Sequence, residues 1–218
     1  MNLELKKRIS TSIVLIILIY VSIFINLYVS LLALIIISIL SWFEFIKMTN
    51  KIYGVKNEFV ANLILILSAL YLTIFSGISY YIIAIDKIYF SYIILICALS
   101  DIGGFVFGKT FRGAKLTKIS PNKTISGSIG SLFFSIIPLF ILNIYDNDEY
   151  PIKIFIFLLC LLISLACQIG DLFISYLKRK AKVKDTGNIL PGHGGLLDRI
   201  DGIILAVPVG IVGLIIIY

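Results

Sequence analysis

The chain has 218 residues, a formal net charge of +7 and a hydrophobic fraction of 60%. Soluble domains hold about 45–50% apolar residues, and uncharged runs recur here at the ~20 residues that cross a bilayer. A water-soluble globular class is thereby excluded, and continuous rather than alternating apolarity excludes a β-barrel.

The expected fold class is all-α, a polytopic helical membrane protein with about seven transmembrane helices. Lys6, Lys7 and Arg8 precede an apolar run that starts at Ile9. That run is too long for a signal-peptide core and no A-x-A site follows, so it reads as an uncleaved first span. Ile9 to Phe43 carries no charge and must fold in two, with a break near Asn26–Tyr28 and a second span ending near Met48. Ser76–Gly77 predicts a break in the next uncharged run, giving a third span of about 59–76 and a short outer segment. The fourth span covers about 88–107 and contains Asp101; the fifth covers about 126–145. After the outer loop 146–151, the sixth covers about 152–174 and contains Asp171, and the seventh covers 202–218. The reading is of one membrane-embedded domain, 1–218. Its N-terminal spans occupy 1–87, and its second half, 88–218, carries the polar loops 108–127 and 175–201.

With the N-terminus cytoplasmic, all of the 19 cationic residues except Lys87 and Lys153 fall on the inner side, as the positive-inside rule requires. Topology accounts for the positive charge, and no nucleic acid partner is expected. Cys97, Cys160 and Cys167 all lie within apolar runs, without disulfide or metal spacing, and read as small hydrophobes.

The most polar stretch is Gly170–Asp201, which holds Asp171, Asp185, Asp198, Asp201 and the only histidine, His193. A carboxylate inside a span costs at least ~2.5 kcal/mol and normally faces a protein interior or a wet cavity. Ser175 and Lys178 follow Asp171 at i+4 and i+7, one helical stripe. A carboxylate, a hydroxyl and a cation on one face suit a metal-bound phosphate; an interfacial ion pair is the plain alternative. Asp198 and Asp201, at i and i+3, suit either an N-terminal cap or an oxygen site for a hard cation such as Mg²⁺. His193 sits between Pro191-Gly192 and Gly194-Gly195. These glycines permit close backbone approach to an anion, and a lone histidine is not a zinc site. Gly103 to Thr110 matches the P-loop pattern, but it ends a membrane span instead of following a strand, so it is not read as one. Asp101 beside it counts as a second intramembrane acid. Lys123 with Thr124 and Ser126 could hold phosphate oxygens, a solvated loop being the equal alternative. Acids that bind metal, together with cations that neutralise polyphosphate, point to metal-assisted phosphoryl or nucleotidyl transfer onto a lipid.

The central stretch resembles the signature of the phosphatidate cytidylyltransferases (CDP-diacylglycerol synthases). The matching residues are Ser175, Lys178-Arg179, Lys184-Asp185, Pro191, His193-Gly194-Gly195 and Asp198-Arg199-Ile200-Asp201. Asp101-Ile-Gly103 through Gly108, and Ser120-Pro121 with Lys123-Thr124 and Gly127, agree more loosely. Asn122 stands where the family usually has Lys, Ser126 and Ile174 where it has Glu, and Gly104-Phe105 replaces Ala-Tyr. The resemblance implies transfer of CMP from CTP to phosphatidate with Mg²⁺, a second, monovalent cation being compatible. It implies catalytic roles for Asp171, Lys178, Arg179, Lys184, Asp185, His193 and Arg199. Substrate binding would fall to Asp101, Lys123, Thr124, Ser175, Gly194 and Gly195, and metal binding to Asp171, Asp198 and Asp201. It further implies a homodimer in the inner membrane with its site facing the cytoplasm. A CTP-dependent lipid kinase of the dolichol-kinase kind is the rival enzyme. A small cation transporter is the rival from another class. A CDP-alcohol phosphatidyltransferase would need a D-G-x-x-A-R helix, which is absent.

Overall fold

The computed structural model describes residues 3–117, 120, 123–140, 153–192 and 194–217. The outer loop 146–151, Asn122 and His193 lie outside the described residues. The helices are α1 (Leu3–Phe24), α2 (Leu27–Tyr53), α3 (Glu58–Ile85), α4 (Lys87–Phe111), α5 (Ile125–Ser135), α6 (Lys153–Lys180), α7 (Leu197–Ile200) and α8 (Ile203–Ile217). Among the described residues, α2, α3, α4 and Phe155–Lys180 of α6 are long and apolar enough to cross a membrane, and shorter apolar helices cover Ser10–Phe24 and Ile125–Phe140. The chain is a polytopic helical membrane protein, as expected. It divides into two compact units, 1–87 with 177–200, and 88–176 with 201–218. The division cuts α6 after Tyr176.

In the first unit, α1 and α2 meet at the expected break. Asn26 caps α2 by accepting a hydrogen bond from the Tyr28 amide at 3.0 Å, the usual role of Asn at that position. Gly54, at φ +55°, ends α2, and a 3-10 turn over Gly54–Asn57 leads into α3. Polar groups hold α2 to α3: Ser38 Oγ meets Ser76 Oγ, and Trp42 Nε1 donates to the Leu65 carbonyl at 3.2 Å. Such bonds tie helices in lipid, where apolar contact alone does not discriminate. The predicted break at Ser76–Gly77 is absent, because α3 runs unbroken to Ile85. Ser76 Oγ bonds within the helix to the Leu72 carbonyl at 2.9 Å, and Gly77 has open space around it, so neither residue forces the backbone out of helical geometry.

In the second unit, glycines bring helices together. A Cβ on Gly104 would stand 2.6 Å from Ser131 Oγ, and one on Gly130 would overlap Phe107. This is the small-residue contact by which membrane helices approach. Gly103 to Thr110 lies inside α4, with none of the loop geometry that cradles phosphate in a P-loop. At the other seam, a Cβ on Gly170 would overlap the Asp201 carbonyl oxygen and come within 3.1 Å of Gly202 Cα. Both obstacles are backbone and cannot rotate away. Gly170→Ala should therefore cost about 1–3 kcal/mol, a fall in Tm of roughly 2–12 °C for a chain of this size. An unchanged melting curve in detergent would rule out this close approach.

The sixth span was expected to end near 174, yet α6 continues to Lys180. It stops in a Schellman motif: the Val183 amide donates to the Lys178 carbonyl at 3.0 Å and the Lys182 amide to the Arg179 carbonyl at 3.1 Å. Lys182 takes the left-handed position at φ +54°, where glycine is usual. Ser175, Lys178 and Arg179 are thus helical residues and not loop residues.

Candidate active site

The chemistry-bearing residues form two clusters, one in each unit. In the second unit, the connection from α4 to α5 folds back on itself. The Leu116 amide donates to the Lys123 carbonyl at 2.8 Å, and the Ile125 amide to the Ala114 carbonyl at 2.9 Å. Thr124 then caps α5, its Oγ1 accepting from the Gly127 amide at 3.0 Å. Ser126 accepts from the Gly113 amide at 3.3 Å and meets Thr124 Oγ1 at 3.0 Å. These bonds fix the end of the loop and with it Lys123.

Lys123 borders a cavity of about 290 Å³ whose polar lining includes Asp101, Ser120, Thr124, Ser128, Ser131, Gln168, Asp171 and Ser175. Lys123 Nζ forms an ion pair with Asp171 Oδ2, both side chains being about a quarter to a third exposed. Ser175 Oγ donates to Asp171 Oδ1 at 3.2 Å, the i, i+4 pairing foreseen from the sequence. Ser128 donates to Gln168 Oε1 across the same wall. Asp101 shares the lining, with Cys167 Sγ 4.0 Å from its Oδ1. Asp201 lies in this unit too, its Oδ1 accepting from the Gly202 amide at 2.9 Å. Ile174 is buried and brings no second acid to the helix beside Asp171.

In the first unit, the loop after α6 is organised by Asp198. Its Oδ1 accepts from Lys178 Nζ at 2.6 Å, and its Oδ2 from the Thr186 amide at 2.8 Å, Thr186 Oγ1 at 3.0 Å and the Gly195 amide at 3.1 Å. Burial alone would raise the Asp198 pKa, but Lys178 and the Thr186 and Gly195 amides outweigh it and hold the carboxyl below its ordinary value. The bond from Gly195 makes Asp198 the third-position acid of a capping arrangement that starts at Gly195, not the N-cap of the Asp198-x-x-Asp201 box suspected from the sequence, since Asp198 lies inside α7. Arg179, Lys184 and Asp185 are exposed. Gly194, at φ +83°, accepts from the Leu190 amide at 2.9 Å and closes a tight turn in which Gly192 also has positive φ. A Cβ on Gly194 would stand 3.2 Å from Asp185 Cβ.

One residue escaped the sequence reading. Glu44 of α2 is 1% exposed. Its Oε1 accepts from the Leu196 amide at 3.0 Å, and its Oε2 from the Leu197 amide at 2.9 Å and Thr186 Oγ1 at 2.8 Å. The signal was available, since Glu44 is an acid inside an apolar run, the criterion already applied to Asp101 and Asp171.

Among the described residues, no three His, Cys, Asp or Glu side chains gather to hold a metal. Mg²⁺ does not require such a cage. It is commonly held by one or two carboxylates, with substrate phosphates and water completing the octahedron. Asp101 and Asp171 on one cavity, among hydroxyl and amide oxygens, are an all-oxygen set of that kind. Asp198 is a poorer candidate, because its oxygens already accept three hydrogen bonds and share a fourth donor, Thr186 Oγ1, with Glu44, close to the capacity of a carboxylate.

Comparison with known proteins agrees with this chemistry. The chain is 46% identical over 121 residues to a phosphatidate cytidylyltransferase of Rickettsia felis, covering 52% of this chain and 53% of that protein. It is 47% identical over 123 residues to one from Staphylococcus aureus (strain COL), covering 55% and 46%. A third such enzyme, from Rickettsia bellii, is 46% identical over 118 residues, half of each chain. The chain spans about half the length of the curated relatives it matches. The family described as "Cytidylyltransferase family" matches residues 58–216. That stretch takes in both clusters apart from Glu44, and the chain belongs to this family.

Proposed function

We propose that the protein transfers CMP from CTP to phosphatidate, giving CDP-diacylglycerol and pyrophosphate at the cytoplasmic face of a cell membrane. The observation that carries this reading is the second unit's cavity, where two carboxylates, a lysine and several hydroxyl groups converge at the end of apolar helices. The similarity to phosphatidate cytidylyltransferases supports it. So does the distribution of Lys and Arg, which favours a cytoplasmic N-terminus.

In the reaction, a phosphate oxygen of phosphatidate attacks the α-phosphorus of CTP. The new P–O bond forms as the bond to the β-phosphate breaks, and pyrophosphate leaves. The attacking phosphate monoester has a second pKa of ~6 and is largely ionised at pH 7, so no strong general base is needed. Repulsion between two polyanions is the main barrier. Lys123 is suited to relieve it. A partly exposed ion pair contributes only about 0–1 kcal/mol, so its ammonium can exchange Asp171 for a phosphate oxygen at little cost. Asp171 and Asp101 would hold Mg²⁺, which when bound supplies charge neutralisation at the phosphates. Thr124 and Ser175 offer hydroxyls to phosphate oxygens. In the first unit, Lys178, Arg179, Lys184 and Arg199 are assigned the neutralisation of phosphatidate and pyrophosphate. His193 with Gly194 and Gly195 is assigned a phosphate cradle, and a homodimer is the expected assembly.

Purified protein with Mg²⁺ and phosphatidate, given α- or γ-labelled CTP in parallel, tests the reading. Label from the α-position should enter lipid as pyrophosphate is released. Label from the γ-position entering an added lipid alcohol would establish the kinase reading instead. Transfer of neither would remove both.

A further inference from the structure

We propose that Glu44, far from the signature motif in sequence, is a positioning residue that sets the geometry of the 186–198 loop. Its effect on turnover rests on the cytidylyltransferase reading; its effect on the loop does not. Glu44 lies on α2, 152 residues before Leu196. Three donors converge on it, the amides of Leu196 and Leu197 and the hydroxyl of Thr186. The two amides belong to the start of α7, where helix amides have no partner of their own. With Asp198 serving the Gly195 amide, two carboxylates take the three successive amides that lead into the helix carrying Asp198-Arg199.

The loop is shaped to receive this side chain. A Cβ on Gly187 would overlap Glu44 Oε1 and stand 2.8 Å from its Cδ, and a Cβ on Gly195 would stand 2.5 Å from Oε2. Thr186 Oγ1 lies between Glu44 Oε2 and Asp198 Oδ2, at 2.8 and 3.0 Å. It has a single hydrogen to donate, serving one carboxylate at a time. Glu44 is thus linked through Thr186 to Asp198, and through Asp198 to Lys178. A buried carboxylate in a membrane span is too costly to be incidental, and all three of its bonds go to this one loop.

The test uses the full chain in lipid nanodiscs. Glu44→Gln keeps the shape but turns one oxygen into an NH₂ group facing amide donors. It should lower kcat per folded molecule about 100-fold, the cost of a displacement of ~1 Å, with KM for CTP within about threefold. Glu44→Asp, which keeps the charge, should recover at least about tenfold of that loss. Trypsin cleavage after the exposed Lys182 and Lys184 should accelerate about tenfold in Glu44→Gln as the loop opens more often. Because Thr186 relays the effect, adding Thr186→Val to Glu44→Gln should cost little more than Glu44→Gln alone. A kcat within threefold of wild type, a loss explained entirely by less folded protein, or unchanged trypsin cleavage would each overturn the proposal. Should Glu44→Gln fail to insert, Thr186→Val alone carries the test, with a loss in kcat of about tenfold and faster cleavage expected. If the wild-type protein transfers no CMP, the cytidylyltransferase reading falls, and the cleavage rates alone decide whether Glu44 anchors the loop.

Discussion

Asp171→Asn should reduce CMP transfer about 1,000-fold while leaving membrane insertion intact. Asp171 accepts from Ser175 and pairs with Lys123 on the wall of the cavity. The amide keeps the volume and can still accept from Ser175 through its oxygen. It loses the charge that holds Lys123 and that would hold a cation. Removing one preorganised electrostatic group costs on the order of 10²–10³ in kcat, and under the proposed function one substitution would remove a cation ligand as well as the partner of the lysine assigned to phosphate. The side chain is partly exposed, so the Tm should barely move. Turnover and melting temperature measured on the same preparation decide the matter. Activity within tenfold of wild type would take Asp171 out of the reaction. A matching collapse of Tm would make its role structural.

Asp198→Ala should act in the opposite sense, on stability before chemistry. The Lys178–Asp198 pair has side chains only 14% and 7% exposed, and the same carboxylate serves the Thr186 and Gly195 amides. Removing it strands a buried ammonium and two buried donors. Breaking a buried pair from one side costs about 3–5 kcal/mol, which is on the order of 10 °C in Tm. Replacing both partners, as Lys178→Met with Asp198→Leu, should cost less than Asp198→Ala alone, because no charge is left behind. A double variant worse than the single one would show that the pair stabilises beyond mutual neutralisation. The pH dependence has a defined sign. The Asp198 carboxyl is held below its ordinary value in the folded protein. Its contribution is therefore complete above the unfolded value of ~3.9 and is lost as pH falls through the lower folded value. The acid limb of a Tm–pH curve below ~pH 4 should shrink in Asp198→Asn. An unchanged limb would assign acid sensitivity to other carboxylates.

Helix-forming runs were legible because lipid demands them: an uncharged stretch of about 20 residues admits few alternatives. The break near Asn26 was legible because the uncharged run is too long for one span, and the structure adds the cap that makes it. Ser76–Gly77 was misread, since in a bundle the serine hydroxyl finds its acceptor within the helix and the glycine is tolerated. Asp171 and Ser175 fell on one stripe as their spacing dictated. The partner of Asp171 is Lys123, not Lys178, and helical spacing could not reveal that, because the pair is made by the folding back of the α4–α5 connection. Asp198 shows the same limit. The capping amide it serves is that of Gly195, three residues before it, and not one toward Asp201 as the spacing suggested, while Lys178 and Thr186 reach it through a turn built on Lys182. Glu44 was missed although it fell inside the second span as drawn, because the test applied to Asp101 and Asp171 was not applied to it.

The Glu44 anchor also has a bearing on biogenesis. The ribosome delivers α2 first, and its three partners follow 142 to 153 residues later. At ~5–20 residues per second, the carboxylate waits roughly 7–31 s for them. During that interval α2 carries an unsatisfied acid that disfavours settling in hydrocarbon. The late-made loop thus supplies every hydrogen-bond partner the structure gives to a carboxylate on an early-made helix.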